Sequence, residues 1–251
     1  DEKGEWLDLA RRKNIASDMA PTAAQMPRSV GLALASKLFR NVESLKEMKH
    51  LSDNGNEVCF CTIGDASTSE GHFWETVNAA GVMQIPLAIF VWDDGYGISV
   101  PKKMQTTKGS ISNVLAGFQK EEDSNGIHIY KVKGWDYAGM CEAFDEGIRL
   151  ARQYHVPVLF HVDEITQPQG HSTSGSHERY KSQDRLAWER EWDCLKKMRE
   201  WLLENALSSE EELSDIERQA KQDVKEQRNL AWQKYQEPIK AQVTRSVELI
   251  N

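Results

Sequence analysis

Four short apolar runs, bounded by turn residues and separated by helical patterns, constrain the fold of this chain more than any other feature. The runs are rich in β-branched and aromatic residues, as buried strands are, and they span residues 57–64, 85–92, 127–134 and 156–165. Apolar residues recur at helical spacing in residues 27–41, 69–83 and 136–154. Strands that alternate with helices of this length predict an α/β fold with a doubly wound, mainly parallel sheet.

After residue 182 the pattern changes to long amphipathic helices, predicted over residues 185–205 and 209–235. The second begins with serines followed by glutamates, a favourable helix start, and carries an apolar stripe. The charged residues outside this stripe are typical of a helix face exposed to solvent. The alternative is that this helix forms a surface for a partner. We therefore predict an α/β domain over residues 1–182 and a C-terminal helical extension over residues 183–251.

The overall charge argues against several classes of partner. The chain has 251 residues and a formal net charge of -8, whereas nucleic acid and anionic membranes are bound by basic surfaces. Its apolar runs are far shorter than the roughly 20 residues that span a bilayer, and no secretory signal opens it. We expect a cytoplasmic protein without nucleic-acid or membrane partners.

The four cysteines, Cys59, Cys61, Cys141 and Cys194, show no C-x-x-C spacing. We interpret them as small buried apolar residues in a reducing compartment rather than as disulfides or zinc ligands. The chain begins without methionine, in an acidic helix-like segment. We expect it to be part of a longer polypeptide.

Carboxylates follow the first two predicted strands directly. Asp65 comes after the first strand, and Asp93 and Asp94 come after the second. Ligands of parallel sheets bind outside the carboxyl ends of the strands, and the 29 residues between Asp65 and Asp94 suit one βαβ crossover. These side chains can therefore converge on a hard cation such as magnesium or calcium, whose preferred ligands are oxygens.

A magnesium ion in such a site usually bridges carboxylates to a phosphate group. The turn amides of Ala66 and Ser67, and those at the start of the next helix, can donate hydrogen bonds to anionic oxygens. A diphosphate ligand is consistent with this arrangement. The alternative is that Asp65 or Asp93 only caps the following segment.

Four separated motifs resemble one enzyme family. They are PTAAQMPRSVGLA, GDASTSEGHFWETVNAAGV, WDDGYGISVP and GHSTSGSHERYKS. In this order they resemble the thiamine diphosphate fingerprint of the alpha subunit of 2-oxo acid dehydrogenase decarboxylating components, especially bacterial versions with alpha and beta regions fused. The resemblance runs from about Asp18 to Tyr235 and implies the thiamine diphosphate-binding fold.

The resemblance also implies roles for individual residues. The magnesium ligands would be Asp65, Asp94 and the main-chain carbonyl of Tyr96. The residues against the diphosphate would be Gly64, Ala66 and Ser67. His171 would be catalytic, reaching the diphosphate or the reacting substrate, and Gln25 would approach the middle of the cofactor. Ser172 and Ser174 match positions that are phosphorylated in some relatives, although here we favour a loop-ordering role.

Three departures bear on cofactor binding. Many relatives have glycine where this chain has Ala66, and the usual asparagine pair is Asp93 and Asp94. An extra carboxylate would attract a cation but repel a diphosphate. Trp92 stands where some relatives place an arginine that neutralises phosphate.

The resemblance implies oxidative decarboxylation of a 2-oxo acid and transfer of the acyl group to a lipoyl acyltransferase. The site would be completed by a beta subunit or a fused beta region, in a homo-oligomer or heterotetramer, so we expect little activity from this chain alone. GHSTS leans toward branched-chain relatives. Two alternatives remain: a magnesium-dependent phosphate-transfer or hydrolase enzyme with Asp65 as nucleophile, and a non-catalytic interaction or structural domain that has lost the cofactor.

Overall fold

The computed structural model of the chain describes residues 15–16, 19–169, 171 and 177–250. The chain divides into two compact units, residues 1–197 and residues 198–251. The domain boundary predicted at residues 182/183 stays a prediction.

The first unit contains a sheet of four parallel strands, β1 (Cys59–Gly64), β2 (Leu87–Trp92), β5 (His128–Lys133) and β6 (Val158–Asp163). Their order in the sheet is β1, β2, β6, β5. An antiparallel hairpin is formed by β3 (Tyr96–Gly97) and β4 (Val100–Pro101). The helices are α1 (Gln25–Asn41), α2 (Gly71–Met83), α3 (Ile111–Val114), α4 (Tyr137–Tyr154), α5 (Gln183–Glu191), α6 (Cys194–Glu204) and α7 (Glu210–Ile250).

The predicted parallel α/β fold is confirmed. Each of the four predicted strands is present and is shorter by at most two residues at either end. The β3–β4 hairpin was not predicted, because strands of two residues are too short to show a period in the sequence.

Helices cover both faces of the sheet, as a doubly wound topology requires. The β1–α2–β2 and β5–α4–β6 connections cross the sheet in opposite directions, so right-handed crossovers place α2 and α4 on opposite faces. On one face, Phe73 of α2 and Met26 of α1 are buried with Ile89 of β2. On the other face, Phe144 of α4 packs edge-on against Phe90 and Phe160.

Aromatic rings are stacked across the strands beneath α4. Phe160 lies with its ring centroid 4.8 Å from that of Phe90 and 5.3 Å from that of Tyr130. Gly147 of α4 lies directly above, where an added Cβ would be 2.5 Å from Phe160 Cζ. The helix can approach this row of rings closely because residue 147 has no side chain.

The C-terminal helices differ from their predicted bounds. The helix predicted over residues 185–205 is two helices, because the Asp193 side chain accepts a hydrogen bond from the Lys196 amide and starts α6, as helix-capping residues do. Helix α7 continues 15 residues beyond the predicted end and includes Pro238. Its apolar stripe is exposed, with Val224 69% and Tyr235 65% accessible, so the partner-surface interpretation stays a prediction.

All four cysteines are free. Cys61 is buried, Cys59 and Cys194 are half-buried, and Cys141 is exposed. The prediction of burial is therefore wrong for Cys141, which lies in the part of α4 that faces solvent. Within the described residues, no helix is both long and apolar enough to cross a bilayer.

Replacing Gly147 with alanine tests how tightly α4 packs on the sheet. We expect Gly147→Ala to lower the free energy of unfolding by about 1–2 kcal/mol, because the new methyl group overpacks Phe160. Gly31→Ala in α1 is the control. No atom lies within 4 Å of a Cβ at Gly31, so this change should stabilise the protein by roughly 0.5–1 kcal/mol. Urea denaturation measures both, and a Gly147→Ala protein as stable as the Gly31→Ala protein contradicts the packing argument.

Candidate functional site

The parallel register brings four acidic residues to one edge of the sheet. Gly64 pairs with Trp92, and Trp92 pairs with Val162. The main chain continues this register for one more residue, since the Asp65 amide donates to the Trp92 carbonyl at 3.1 Å and the Asp93 amide donates to the Val162 carbonyl at 2.9 Å. Asp65, Asp93, Asp94 and Asp163 therefore lie together at the carboxyl ends of β1, β2 and β6.

Asp65 is a buried carboxyl group with an unused oxygen. Its residue is 5% exposed, and Oδ2 is one of the buried side-chain atoms without a hydrogen-bond partner among the described residues. Burial, together with the charges of Asp93 and Asp94, raises the pKa of Asp65 to about 7. A buried oxygen of this kind is stabilised by a proton or by a cation.

The β3–β4 hairpin holds Asp94 and Tyr96 beside the turn that follows Asp65. The Tyr96 amide donates to Asp94 Oδ1 at 3.0 Å. A Cβ added to Gly97 would lie 2.7 Å from the Cβ of Ala66, so the hairpin and the turn after Asp65 are in close contact. The structure thus brings the three predicted magnesium ligands, Asp65, Asp94 and Tyr96, to one place.

Asp93 is neutralised by protein groups. Lys102 Nζ donates to Asp93 Oδ2 at 2.9 Å, and His161 Nε2 lies 2.8 Å from the same oxygen. Burial alone would raise the pKa of Asp93, but these two contacts hold that pKa below its usual range. The positive charge that the adjacent carboxylates require is therefore supplied, for Asp93, by Lys102.

Asp163 completes the same ion-pair network. Lys102 Nζ donates to Asp163 Oδ1 at 2.9 Å, and Lys131 Nζ lies 3.2 Å from Asp163 Oδ2. Burial opposes ionisation, but the hydrogen bonds from Lys102 and Lys131 hold the pKa of Asp163 well below its usual range. Lys102 thus ties the end of β6 to the segment that follows β2.

Two further cations pack on the Tyr96 ring. Lys181 Nζ lies 5.1 Å and the Arg185 guanidinium carbon lies 5.5 Å from the ring centroid. Arg185 also donates to the main-chain carbonyl of Asp94 at 2.7 Å, and both cations pair with the buried carboxylate of Glu189. These contacts fix the Asp94–Tyr96 turn from the side of α5.

The predicted diphosphate contacts lie at the end of β1 and in the turn after Asp65. Gly64 is exposed, and nothing lies within 4 Å of a Cβ built on it. Ala66 and Ser67 are half-buried at the start of the turn over Ala66–Ser69. Trp92 stacks on Phe90 with ring centroids 6.1 Å apart. A role for these residues in phosphate binding stays a prediction.

His171 and Gln25 have different surroundings. His171 is exposed, and its main chain hydrogen-bonds to the side chain of Tyr180, whose ring centroid lies 5.7 Å from that of Tyr96. Gln25 instead donates its side-chain amide to the Thr62 carbonyl of β1 at 3.1 Å. Ser172 and Ser174 lie outside the described residues.

Five residues of this edge were not predicted from the sequence: Lys102, His161, Asp163, Lys181 and Arg185. Asp163 is the last residue of β6, but the predicted strand ran on to residue 165, so the rule of strand ends did not single it out. Ile98, at the tip of the hairpin, was also missed. It is 59% exposed and has φ +59, a conformation that β-branched residues rarely adopt.

A cavity of about 390 Å³ opens beside this network. Its walls include Asp93, Asp94, Lys102, Asp163, Arg185 and Trp188. A larger groove of about 1350 Å³ runs along β1 and α1, away from the acidic edge, and Gln25 lines it. The acidic edge and its adjoining cavity form the candidate site.

The Asp163 ion pairs make stability dependent on pH. The pKa of Asp163 is lower in the folded chain than in the unfolded chain, so its charge stabilises the fold above about pH 4 and this contribution is lost as pH falls below that value. We expect Asp163→Asn to lower the free energy of unfolding at pH 7 by about 3 kcal/mol. The difference from the parent chain should shrink below about pH 4.

Urea denaturation between pH 7 and pH 3 measures this effect. Asp123→Asn is the matched control, because Asp123 is exposed in the turn before β5. If Asp163→Asn lowers the free energy of unfolding by the same amount at all these pH values, the stabilising role of the Asp163 ion pairs is contradicted.

The chain is similar in sequence to known proteins. The chain is 26% identical over 204 residues to the pyruvate dehydrogenase E1 component subunit alpha of Rickettsia bellii. This alignment covers 81% of this chain and 55% of that protein. It is also 26% identical over 218 residues to the 2-oxoisovalerate dehydrogenase subunit alpha, mitochondrial, of Mus musculus, covering 86% of this chain and 44% of that one. The chain thus spans about half the length of the curated relatives it matches.

Among solved structures, a transketolase from Campylobacter jejuni matches with a TM-score of 0.45 and 16% identity, over 60% of this chain and 21% of that chain. Residues 2–240, nearly the whole chain, match the sequence model described as Dehydrogenase E1 component. The chain therefore belongs to the dehydrogenase E1 component family.

Proposed function

We propose that this chain provides the magnesium- and diphosphate-binding half of a thiamine diphosphate-dependent 2-oxo acid dehydrogenase. One observation carries the proposal: the buried carboxyl group of Asp65 has an oxygen without a hydrogen-bond partner in the described part of the chain, at the sheet edge that also holds Asp94 and Tyr96. Membership of the dehydrogenase E1 component family supports it.

The residues present fit a magnesium ion. Asp65 and Asp94 are both carboxylates whose pKa is raised, first by burial and then by neighbouring negative charge. A divalent cation between them would remove this repulsion, and oxygen ligands are those that magnesium prefers. Asp65, Asp94 and the main-chain carbonyl of Tyr96 would hold the ion.

The same edge can receive a diphosphate. The open space above Gly64 lets a ligand approach the main chain at the end of β1, and Ala66 and Ser67 begin the turn beside it. Lys102 forms an ion pair with Asp93, and His161 hydrogen-bonds to it, so the repulsion that Asp93 adds toward a diphosphate is smaller than that of an unpaired carboxylate.

Bound thiamine diphosphate supplies an electron sink for the loss of carbon dioxide from a 2-oxo acid. The residues of this chain would then hold and orient the cofactor through its diphosphate end. Lys181 and Arg185 would keep the Asp94–Tyr96 turn in place, since both pack on Tyr96. His171 would donate a hydrogen bond to the diphosphate or the substrate from its exposed position.

The remainder of the active site would come from a beta subunit or a fused beta region. Two relatives are named as alpha subunits. We propose the corresponding assembly here, a heterotetramer or homo-oligomer whose acyl product passes to a lipoyl acyltransferase in the cytoplasm. Relatives named for pyruvate and for 2-oxoisovalerate are equally similar at 26% identity, so the branched-chain leaning rests on the GHSTS motif alone.

The first test concerns the cation. We expect thiamine diphosphate to bind the full natural chain with its beta region only when magnesium is present, and Asp65→Asn to weaken binding at least about 100-fold, equivalent to about 2.7 kcal/mol. Calorimetric titration measures both affinities. Asp123→Asn should bind like the parent, since residue 123 lies in the turn before β5.

Each outcome of this titration is informative. Binding that does not depend on magnesium, or that survives Asp65→Asn, contradicts the assigned ligands. No binding by the parent assembly favours the non-catalytic interaction domain instead.

A second test concerns the missing half of the site. We expect the 251-residue chain alone to show no 2-oxo acid decarboxylation above the rate with free cofactor, because the remainder of the proposed active site would come from the beta region. Adding the beta region should restore activity. Full decarboxylase activity in the chain alone would refute the half-site proposal.

A further inference from the structure

A second set of potential metal ligands lies behind the Asp94–Tyr96 turn. Asp93, His161 and Asp163 each offer a ligand atom within 4.8 Å of the others, and all three residues are buried. Imidazole and carboxylate groups at this spacing are the ligands of many divalent metals. The arrangement raises the question of which cation stabilises it.

Lys102 already places a cation between the carboxylates. Its ammonium nitrogen lies 2.9 Å from Asp93 Oδ2 and 2.9 Å from Asp163 Oδ1. Lys131 contributes a second ammonium group at 3.2 Å from Asp163 Oδ2. The two carboxylates of this cluster are thus each paired with an ammonium group, so protein cations already supply the positive charge that a metal ion would bring.

The main chain of Lys102 closes the same segment. Its amide donates to the Gly95 carbonyl at 2.9 Å, and the Gly95 amide donates to Asp93 Oδ1 at 2.9 Å. Residues 93–102 are therefore a loop closed at its base by both the main chain and the side chain of one lysine. The loop carries Asp94 and Tyr96.

We propose that Lys102 is a positioning residue whose ammonium group occupies the place of a metal ion between Asp93, His161 and Asp163. It holds the 93–102 loop closed and keeps divalent cations out of this cluster, so that the described part of this sheet edge presents a cation site only at Asp65 and Asp94. The claim that Lys102 positions the cation site at Asp65 and Asp94 rests on the proposed function. The exclusion of metal by Lys102 does not.

Removing the ammonium group should uncover three ligands. His161 can bind a metal through Nε2 if the ring proton moves to Nδ1, and Ser112 Oγ lies 2.8 Å from Nδ1, where it can accept that proton in a hydrogen bond. Such partners orient metal-bound histidines. The variant Lys102→Ala therefore has the ligands and the supporting contact for a divalent ion.

Cobalt(II) is a suitable probe, because it takes the same ligands and its visible absorption reports coordination by protein. We would titrate cobalt into the full natural chain carrying Asp65→Asn, which removes the proposed magnesium site from the count. Three further changes are compared in that background: Lys102→Ala, Lys102→Arg and Lys103→Ala. Lys103 is an exposed neighbour of Lys102 and serves as the matched control.

We expect Lys102→Ala to bind one more equivalent of cobalt than the Asp65→Asn background, with a new visible band that His161→Gln abolishes. Lys102→Arg and Lys103→Ala should bind no more cobalt than the background. A His161-dependent band in the background itself, or no gain in a folded Lys102→Ala protein, overturns the proposal.

Circular dichroism covers the case in which Lys102→Ala does not fold by itself. Recovery of the folded spectrum on addition of cobalt supports the proposal, and a protein that stays unfolded with cobalt counts against it. If the parent does not bind thiamine diphosphate, the proposed function is contradicted, but the cobalt titration still tests whether Lys102 excludes metal. The positioning claim is tested separately: Lys102→Met should weaken magnesium-dependent cofactor binding about tenfold, whereas Lys102→Arg should retain it.

Discussion

The crowding of carboxylates at one sheet edge is the constraint on which the rest of this structure depends. Parallel register brings Asp65, Asp93 and Asp163 to the ends of three adjacent strands, where burial makes unpaired negative charge costly. The chain resolves this in two ways. Lys102 and Lys131 form ion pairs with Asp93 and Asp163, and His161 hydrogen-bonds to Asp93. Asp65 Oδ2, in contrast, has no hydrogen-bond partner among the described residues, which distinguishes Asp65 from the paired carboxylates.

The surrounding helices and the β3–β4 hairpin hold this edge of the sheet in place. Gly147 and the stacked rings of β2, β5 and β6 let α4 cover one face closely, which keeps the strands in register. Lys181, just before α5, and Arg185 of α5 pack on the Tyr96 ring of the Asp94–Tyr96 turn. The turn is therefore held from the sheet, from its own hairpin and from a helix, as a preorganised binding site requires.

Much of this arrangement could be predicted from local patterns. The four apolar runs identified the strands of the main sheet, and the rule that ligands bind at strand ends singled out Asp65, Asp93 and Asp94. The family resemblance, confirmed by the match over residues 2–240, added Tyr96. What local patterns could not show was the partner of Asp93. Lys102 lies in a polar segment with no periodicity, and its second contact, Asp163, is 61 residues away. The start of α6 was predictable in principle, since aspartate is a preferred capping residue, but the continuous apolar spacing around Asp193 concealed it.

The long sequence separation of the Lys102–Asp163 ion pair also has a consequence for the order of folding. The β1–α2–β2 unit can form from contacts that are close in sequence, whereas Lys102 meets Asp163 only after β5, α4 and β6 have joined the sheet. Contacts of such separation form late because a long loop must first be closed. During synthesis, Asp93 and Lys102 therefore emerge well before His161 and Asp163, and the contacts that close the 93–102 loop onto the sheet are complete only when the last strand is in place.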